Sequence, residues 1–207
     1  MHAIITDGSI SKYINHPKPL VIGDVQYPAR IFSAWTASEL AAIGIIEVTF
    51  DDSNKKDEKW YINTNQTYTY DADAGTVTAT YGTATAKAHA DTTWSQQDSD
   101  DGDLPSDKSV GDVKVEGLKT ILIRTIKQQA AGILQDTDWY IVRKADAGTA
   151  VPSSITTHRA AVRTKAAEME TAITNASNTP ALETLYTYTT TDGVQSRPLG
   201  ELPTWDS

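Results

Sequence analysis

Apolar and polar positions alternate in short runs through the first half of the chain, and the spacing becomes helical after residue 113. Ala3–Ile5 and Ile10–Ile14 flank Asp7-Gly8, a pair suited to a tight hairpin turn. Pro17, Pro19 and Pro28 exclude a helix through the next stretch. Ile31–Trp35 reads as a further short strand. Residues 38–43 read as a short helix, with Gly44 just past its C-terminus. Ile45–Phe50 is β-branched and apolar, so a strand is expected there. Trp60–Tyr70 and Thr76–Tyr81 mix aromatic residues with Thr and Asn on either side of Asp71–Gly75. That pattern predicts a hairpin with one wet face. Residues 82–97 fit a further strand or a loose helix.

Beyond Val113, Leu118, Ile121, Leu122, Thr125, Ile126, Gln129, Ala130, Ile133 and Leu134 recur at helical spacing. They predict an amphipathic helix of about twenty residues. A shorter element opens at Thr137 and ends near Gly148. Pro152 suits the first turn of the next helix. In that helix Ile155, His158, Val162, Ala166, Met169, Ile173 and Ala176 form a seam that needs a partner. Thr179-Pro180 starts a short helix over Ala181–Tyr188. The tail from Arg197 onward reads as extended and carries Trp205. The expected fold class is α+β. A β-rich N-terminal region (1–97) precedes an acidic linker (98–112) and a small helical C-terminal module (113–207).

Charge sharpens this division. The chain has 207 residues and a formal net charge of −9, and all of that charge lies within residues 1–112. Residues 91–112 alone hold seven Asp and one Lys. With Pro and Gly present as well, 98–112 has the composition of a solvated linker. The acid spacing resembles a calcium loop but fails the EF-hand pattern. Gly102 falls at loop position 5, and position 12 from Asp98 is Ser109. An acidic chain is a poor ligand for phosphate backbones, so no nucleic-acid partner is expected. The absence of cysteine excludes disulfides, thiolate metal sites and a cysteine nucleophile. No apolar run is long enough to span a membrane, and residues 1–13 lack the features of a signal peptide. A soluble chain made in a reducing cytosol is therefore expected.

Catalytic patterns are absent from the sequence. His2, His16, His89 and His158 are isolated, and no nucleophile elbow, P-loop or dinucleotide fingerprint occurs. The expectation is no enzyme, no metal and no cofactor. Acid pairs such as Asp51/Asp52 leave a glycan-degrading enzyme as a distant alternative. The densest chemistry lies in residues 136–144, together with Arg159 and Arg163. If the element is a helix, Trp139 and Val142 share a face and can bury against the long helix, while Arg143 and Lys144 stay wet. As a strand it would place Trp139 with Ile141 and Arg143. Arg159 and Arg163 lie four apart on one helix face. They can pair with Asp136 or Asp138, or this aromatic and Arg-rich face can dock a partner.

Thr137, Asp138, Trp139, Tyr140, Ile141, Val142, Arg143 and Lys144 are followed by Gly148, Pro152, Arg159, Ala161, Val162 and Arg163. This order resembles the C-terminal module of bacteriophage tail fibre assembly and tail assembly chaperone-like proteins. The closing Leu202-Pro203-Thr204-Trp205 is similar to that family's ending, with Asp206 where Pro is common. Residues 1–13 are similar to the start of many members. The resemblance covers about the last 95 residues well and the first 50 loosely; residues 51–112 fall outside it. It implies a non-enzymatic tail protein, made in the bacterial host cytoplasm and located in the virion tail. Its partners would be tail fibre or baseplate proteins in a symmetric, oligomeric assembly. A transient fibre chaperone is the alternative. The implied interface residues are Trp139, Tyr140, Arg143, Lys144, Arg159, Arg163 and Trp205.

Overall fold

A computed structural model describes residues 1–205, which contain both helices and strands in an α+β mixture. The chain divides into two compact units, Met1–Thr85 and Ala86–Ser207. The division falls twelve residues ahead of the boundary expected at 97.

In the first unit, β1 (His2–Thr6) and β2 (Ser9–Ile14) form the hairpin expected at Asp7-Gly8. Both turn residues have positive φ, as such a turn requires. A second hairpin, β3 (Leu20–Ile22) and β4 (Val25–Tyr27), leads to two short helices, α1 (Ile31–Ala34) and α2 (Ala37–Ala42). The α1 helix replaces the strand expected over Ile31–Trp35. Pro28 opens a helical turn, Ile31 and Phe32 donate backwards to Pro28 and Ala29, and Trp35 donates to Ile31. This spacing buries Ile31 and sets Trp35 edge-on against Tyr27. Thr36 and Glu39 form a reciprocal capping box on α2.

Strand β5 (Ile45–Asp51) follows, then β6 (Tyr61–Ile62), β7 (Thr67–Asp71) and β8 (Thr76–Thr80). The main sheet has the order β2-β1-β5-β8-β7, with β5 and β8 parallel and the other pairs antiparallel. Alternation along the strands sends side chains to two faces. Ile4, Ile14 and Ile45 cluster on one face with Leu20, Ile31 and Leu40 from the covering elements. Ala3, Val48, Val77 and Ala79 lie on the other, flanked by Ile5, Ile10, Tyr68 and Tyr70. The sheet curls around this second face until Tyr13 on β2 meets Tyr68 on β7.

In the second unit, β9 (Thr85–Ala86) at the junction is followed by β10 (Thr92–Thr93), α3 (Gln96–Asp100) and β11 (Val113–Val115). Residues 98–112, whose composition predicts a linker, lie within a closed loop. Strands β10 and β11 pair across its base, and Trp94 exchanges backbone bonds with Gly111 and Asp112. Asp98 caps α3 with Ser95 and pairs with Lys114. Local acid–backbone bonds thus give shape to a segment whose apolar side chains are few, Leu104, Pro105 and Val110.

The long helix α4 (Leu118–Gln135) packs on α6 (Ser153–Asn175) through Leu122, Ile126 and Ala130 facing the Val162–Ile173 seam. Its first amides are met by the preceding segment. Gly117 N–H donates to Asp91 at 2.6 Å, and Leu118 and Lys119 donate to the Ala88 and His89 carbonyls at 3.0 Å. Between the long helices lies α5 (Asp138–Ala147), which ends at Gly148 in the left-handed region. Helix α7 (Thr179–Tyr186) is capped by Asn178 and carries Pro180 in its first turn. Ahead of the tail expected from Arg197 stands a hairpin with no counterpart in the sequence expectations, β12 (Thr189–Thr191) and β13 (Val194–Ser196), turning at Asp192-Gly193.

Candidate interaction site

The sequence cluster at 136–144 folds as a helix. It begins where α4 ends, and one side chain organises the junction. Arg159, on α6, is 7% exposed. One guanidinium nitrogen, Nη1, donates to the Leu134 carbonyl and to Thr137 Oγ1, both at 2.6 Å. The other, Nη2, donates to Asp138 at 2.8 Å. The planar fork therefore satisfies an end carbonyl of α4 and the N-terminus of α5 together. Of the alternatives open from sequence, Asp138 is the acid that Arg159 takes. Arg163, one turn further along α6, is exposed.

The face of α5 that turns inward differs from the expected one. Thr137 is buried and Tyr140 and Arg143 are half-buried. Trp139, Ile141 and Val142 are exposed, at 51%, 42% and 65%. The expectation that Trp139 and Val142 bury against the long helix is thus corrected, as is the expectation of a wet Arg143. The cause lies in the first turn. The Arg159 bonds fix Thr137 inward, and steps of three from Thr137 reach Tyr140 and Arg143. The Trp139 and Tyr140 rings lie 4.0 Å apart, and the Arg143 guanidinium sits 4.5 Å and 5.5 Å from their centroids. Lys144 is exposed. No α5 residue is fully buried, so the helix carries three large apolar side chains into solvent.

Trp205 packs on α6. Its ring stacks on His158 at 3.8 Å, which gives that half-buried histidine a packing role. The tail leading to it is held by residues that sequence reasoning passed over. Leu199 is 2% exposed, and its N–H donates to the Leu185 carbonyl. Arg197 lies over Tyr186 and Tyr188 and pairs with Glu201. The signal was present in the alternation of Arg197, Leu199 and Glu201, but a short polar tail gave no reason to use it. Asp206 lies outside the described residues.

Among the described residues no group of three or more His, Asp or Glu could hold a metal ion, and no helix is long and apolar enough to cross a membrane. Asp51, the first of the paired acids, accepts from Ser53, which holds its carboxyl below the usual range. Comparisons of the chain with protein-family models, with curated proteins and with solved structures find no match.

Proposed function

We propose that the chain is a non-enzymatic phage tail protein, a structural or adaptor component near the fibres or baseplate. The observation that carries this reading is α5. Its ordered N-terminus is fixed by Arg159, yet Trp139, Ile141 and Val142 face solvent. Clustered exposed apolar and aromatic side chains on a helix anchored at its N-terminus favour protein–protein contact over catalysis. The resemblance over residues 137–163 supplies the tail context. The finer layout belongs to the same reading: a β-rich N-terminal part, an acidic segment at 98–112 and a helical C-terminal part. In it the chain works as one of several copies in a symmetric assembly, without nucleic acid, membrane or cofactor.

Quantitative mass spectrometry of purified virions from cells producing the chain is the test. The structural reading expects the chain at stoichiometric level in particles. Absence from particles, with a soluble complex between this chain and a fibre protein, would establish the second reading, a transient assembly chaperone.

A further inference from the structure

The concave face of the main sheet holds a feature that the α5 reading does not use. Strand β2 carries a one-residue bulge. Ile4 pairs with Lys12 and Ile5 with Ile10, so Ser11 is the extra residue. The Ser11 hydroxyl fixes the bulge by donating to the Ile4 carbonyl at 3.1 Å, and it bonds the Thr6 hydroxyl at 3.0 Å. Ile10 and Tyr13 are three residues apart and would lie on opposite faces of a regular strand. The bulge puts them on the same face, opposite Ile5 and Ala3. On the far edge of the sheet, Tyr68 and Tyr70 are two apart on β7 and share that face.

Curling then brings the two edges together. The Tyr13 and Tyr68 rings lie 4.7 Å apart. Beside them opens a cleft of about 390 Å³, bordered by Gly8, Ser9, Ile10, Thr69 and Tyr70 as well as the two rings. The sheet face between the two edges is built from fully buried side chains, Ala3, Val77 and Ala79. Three tyrosines, Tyr13, Tyr68 and Tyr70, border the cleft. Among the described residues, none of the three phenol hydroxyls has a hydrogen-bond partner, and Tyr13 is 43% exposed. The lining contains no charged side chain.

We infer that this cleft binds a neutral saccharide, on the order of one or two sugar rings. Aromatic faces offer apolar stacking area, and the phenol and serine hydroxyls can donate and accept toward sugar hydroxyls. The volume lies within the range of small-molecule sites. The uncharged lining disfavours an anion or a cation. An extended peptide strand is a poorer occupant. Strands β2 and β7 come within 8 Å, Cα to Cα, whereas a strand inserted between them needs about 9.6 Å, twice the strand spacing.

The test uses the full chain and a panel of neutral oligosaccharides: glucans, galactans and N-acetylhexosamine oligomers at millimolar concentration. Saturation-transfer NMR reads binding, and shifts of the tyrosine ring signals locate it. At least one panel member should bind, with ring signals of Tyr13, Tyr68 or Tyr70 moving. Tyr13→Ala should weaken binding up to about tenfold, the value of one aromatic contact, with an unchanged melting temperature. Tyr70→Phe keeps the ring and removes a hydroxyl, so it should weaken binding without loss of fold. Failure of the whole panel to bind would overturn the inference. So would binding that both variants leave intact, or saturation transfer only to a peptide probe.

Discussion

Met1–Thr85 and Ala86–Ser207 solve the burial problem in different ways. The first unit buries apolar side chains on both faces of one curled sheet, in two small clusters set by strand register. The second buries a seam between α4 and α6, together with Leu182 of α7 and Leu199, and uses a polar side chain, Arg159, to seat α5. A sheet depends on backbone fit, because one residue of slip exchanges its faces. A helical seam depends on side-chain volume and tolerates backbone change better. Sensitive positions should therefore be glycines and turns in the sheet and side chains where helix meets helix, with Gly117, whose Cβ would lie 2.3 Å from the Ala90 carbonyl, as the backbone-limited point of the second unit.

The largest expected effect tests the backbone half of this contrast. Gly44 has φ +77°, and a Cβ there would lie 2.8 Å from the Ile5 carbonyl oxygen. Its own carbonyl accepts from Ile5 N–H at 2.8 Å. Gly44→Ala should cost about 3 kcal/mol from the left-handed conformation and the clash together. Chemical denaturation measures the loss, and hydrogen exchange should place it in β1 and β5. Wild-type stability in this variant would break the claim that register rules the sheet.

Next comes the polar staple. Arg159→Leu removes two charge-assisted hydrogen bonds to Leu134 and Thr137, which still bond each other, and should destabilise by about 2 kcal/mol. Little of that arises from Asp138, whose side chain is half-exposed, so charge screening weakens the pair. Arg159→Lys should recover only part of the loss, because a point charge cannot span both helices. Full rescue by lysine would reduce the junction to simple charge pairing.

Acid acts on both units, since the Glu39 and Asp51 carboxyls in the first also lie below the usual range, but the largest lowering is at Asp98 in the second. Hydrogen bonds from Gly117 and Thr120 hold Asp91 below the usual carboxylate range, and Lys114 with Ser95 does the same for Asp98. Both carboxylates belong to the second unit. Groups with lowered folded pKa stabilise above their unfolded value, near pH 4, and that stability is lost as the pH falls toward the folded value. Melting curves should show this acid-dependent loss below about pH 4. An Asp91→Asn, Asp98→Asn double variant should flatten it. An unchanged slope in that variant would remove these two groups from the account.

The smallest stability effect is expected at Trp139. A core tryptophan would cost about 3–5 kcal/mol on truncation, but this ring is half in solvent. Trp139→Ala should therefore change stability by less than about 1 kcal/mol, and under the proposed function it would abolish partner binding at α5. A large drop in melting temperature would return the residue to the core.

These expectations differ in how far they could be read from sequence. The Asp7-Gly8 hairpin, β5, α4 and the α6 seam followed from turn chemistry and period alone. Ile31–Trp35 misled because β-branched and aromatic content suggests a strand, while Pro28 and the buried position of Ile31 favour one helical turn. The Asp192-Gly193 hairpin carries the same turn signal as Asp7-Gly8, but its flanking Thr, Val, Gln and Ser residues show no apolar alternation. At the site, the type of each residue was legible, and Asp138 was one of two acids in reach of Arg159. The face of α5 was not, because it is set by a bond from a residue more than twenty positions away. The tyrosine cleft was hidden for a similar reason. A bulge changes parity along β2, and curling joins residues 13 and 68.

Helix α5 is attached as a cantilever. Among the described residues, its side-chain hydrogen bonds and ion pairs to the neighbouring helix all lie at the Asp138 end. Ten residues give an arm of roughly 15 Å. A rotation of about 10° at the Arg159 junction would sweep the far end through roughly 3 Å, on that arm length. Small adjustments at one buried guanidinium are thus geared up into displacements of the size that decides whether two protein surfaces meet.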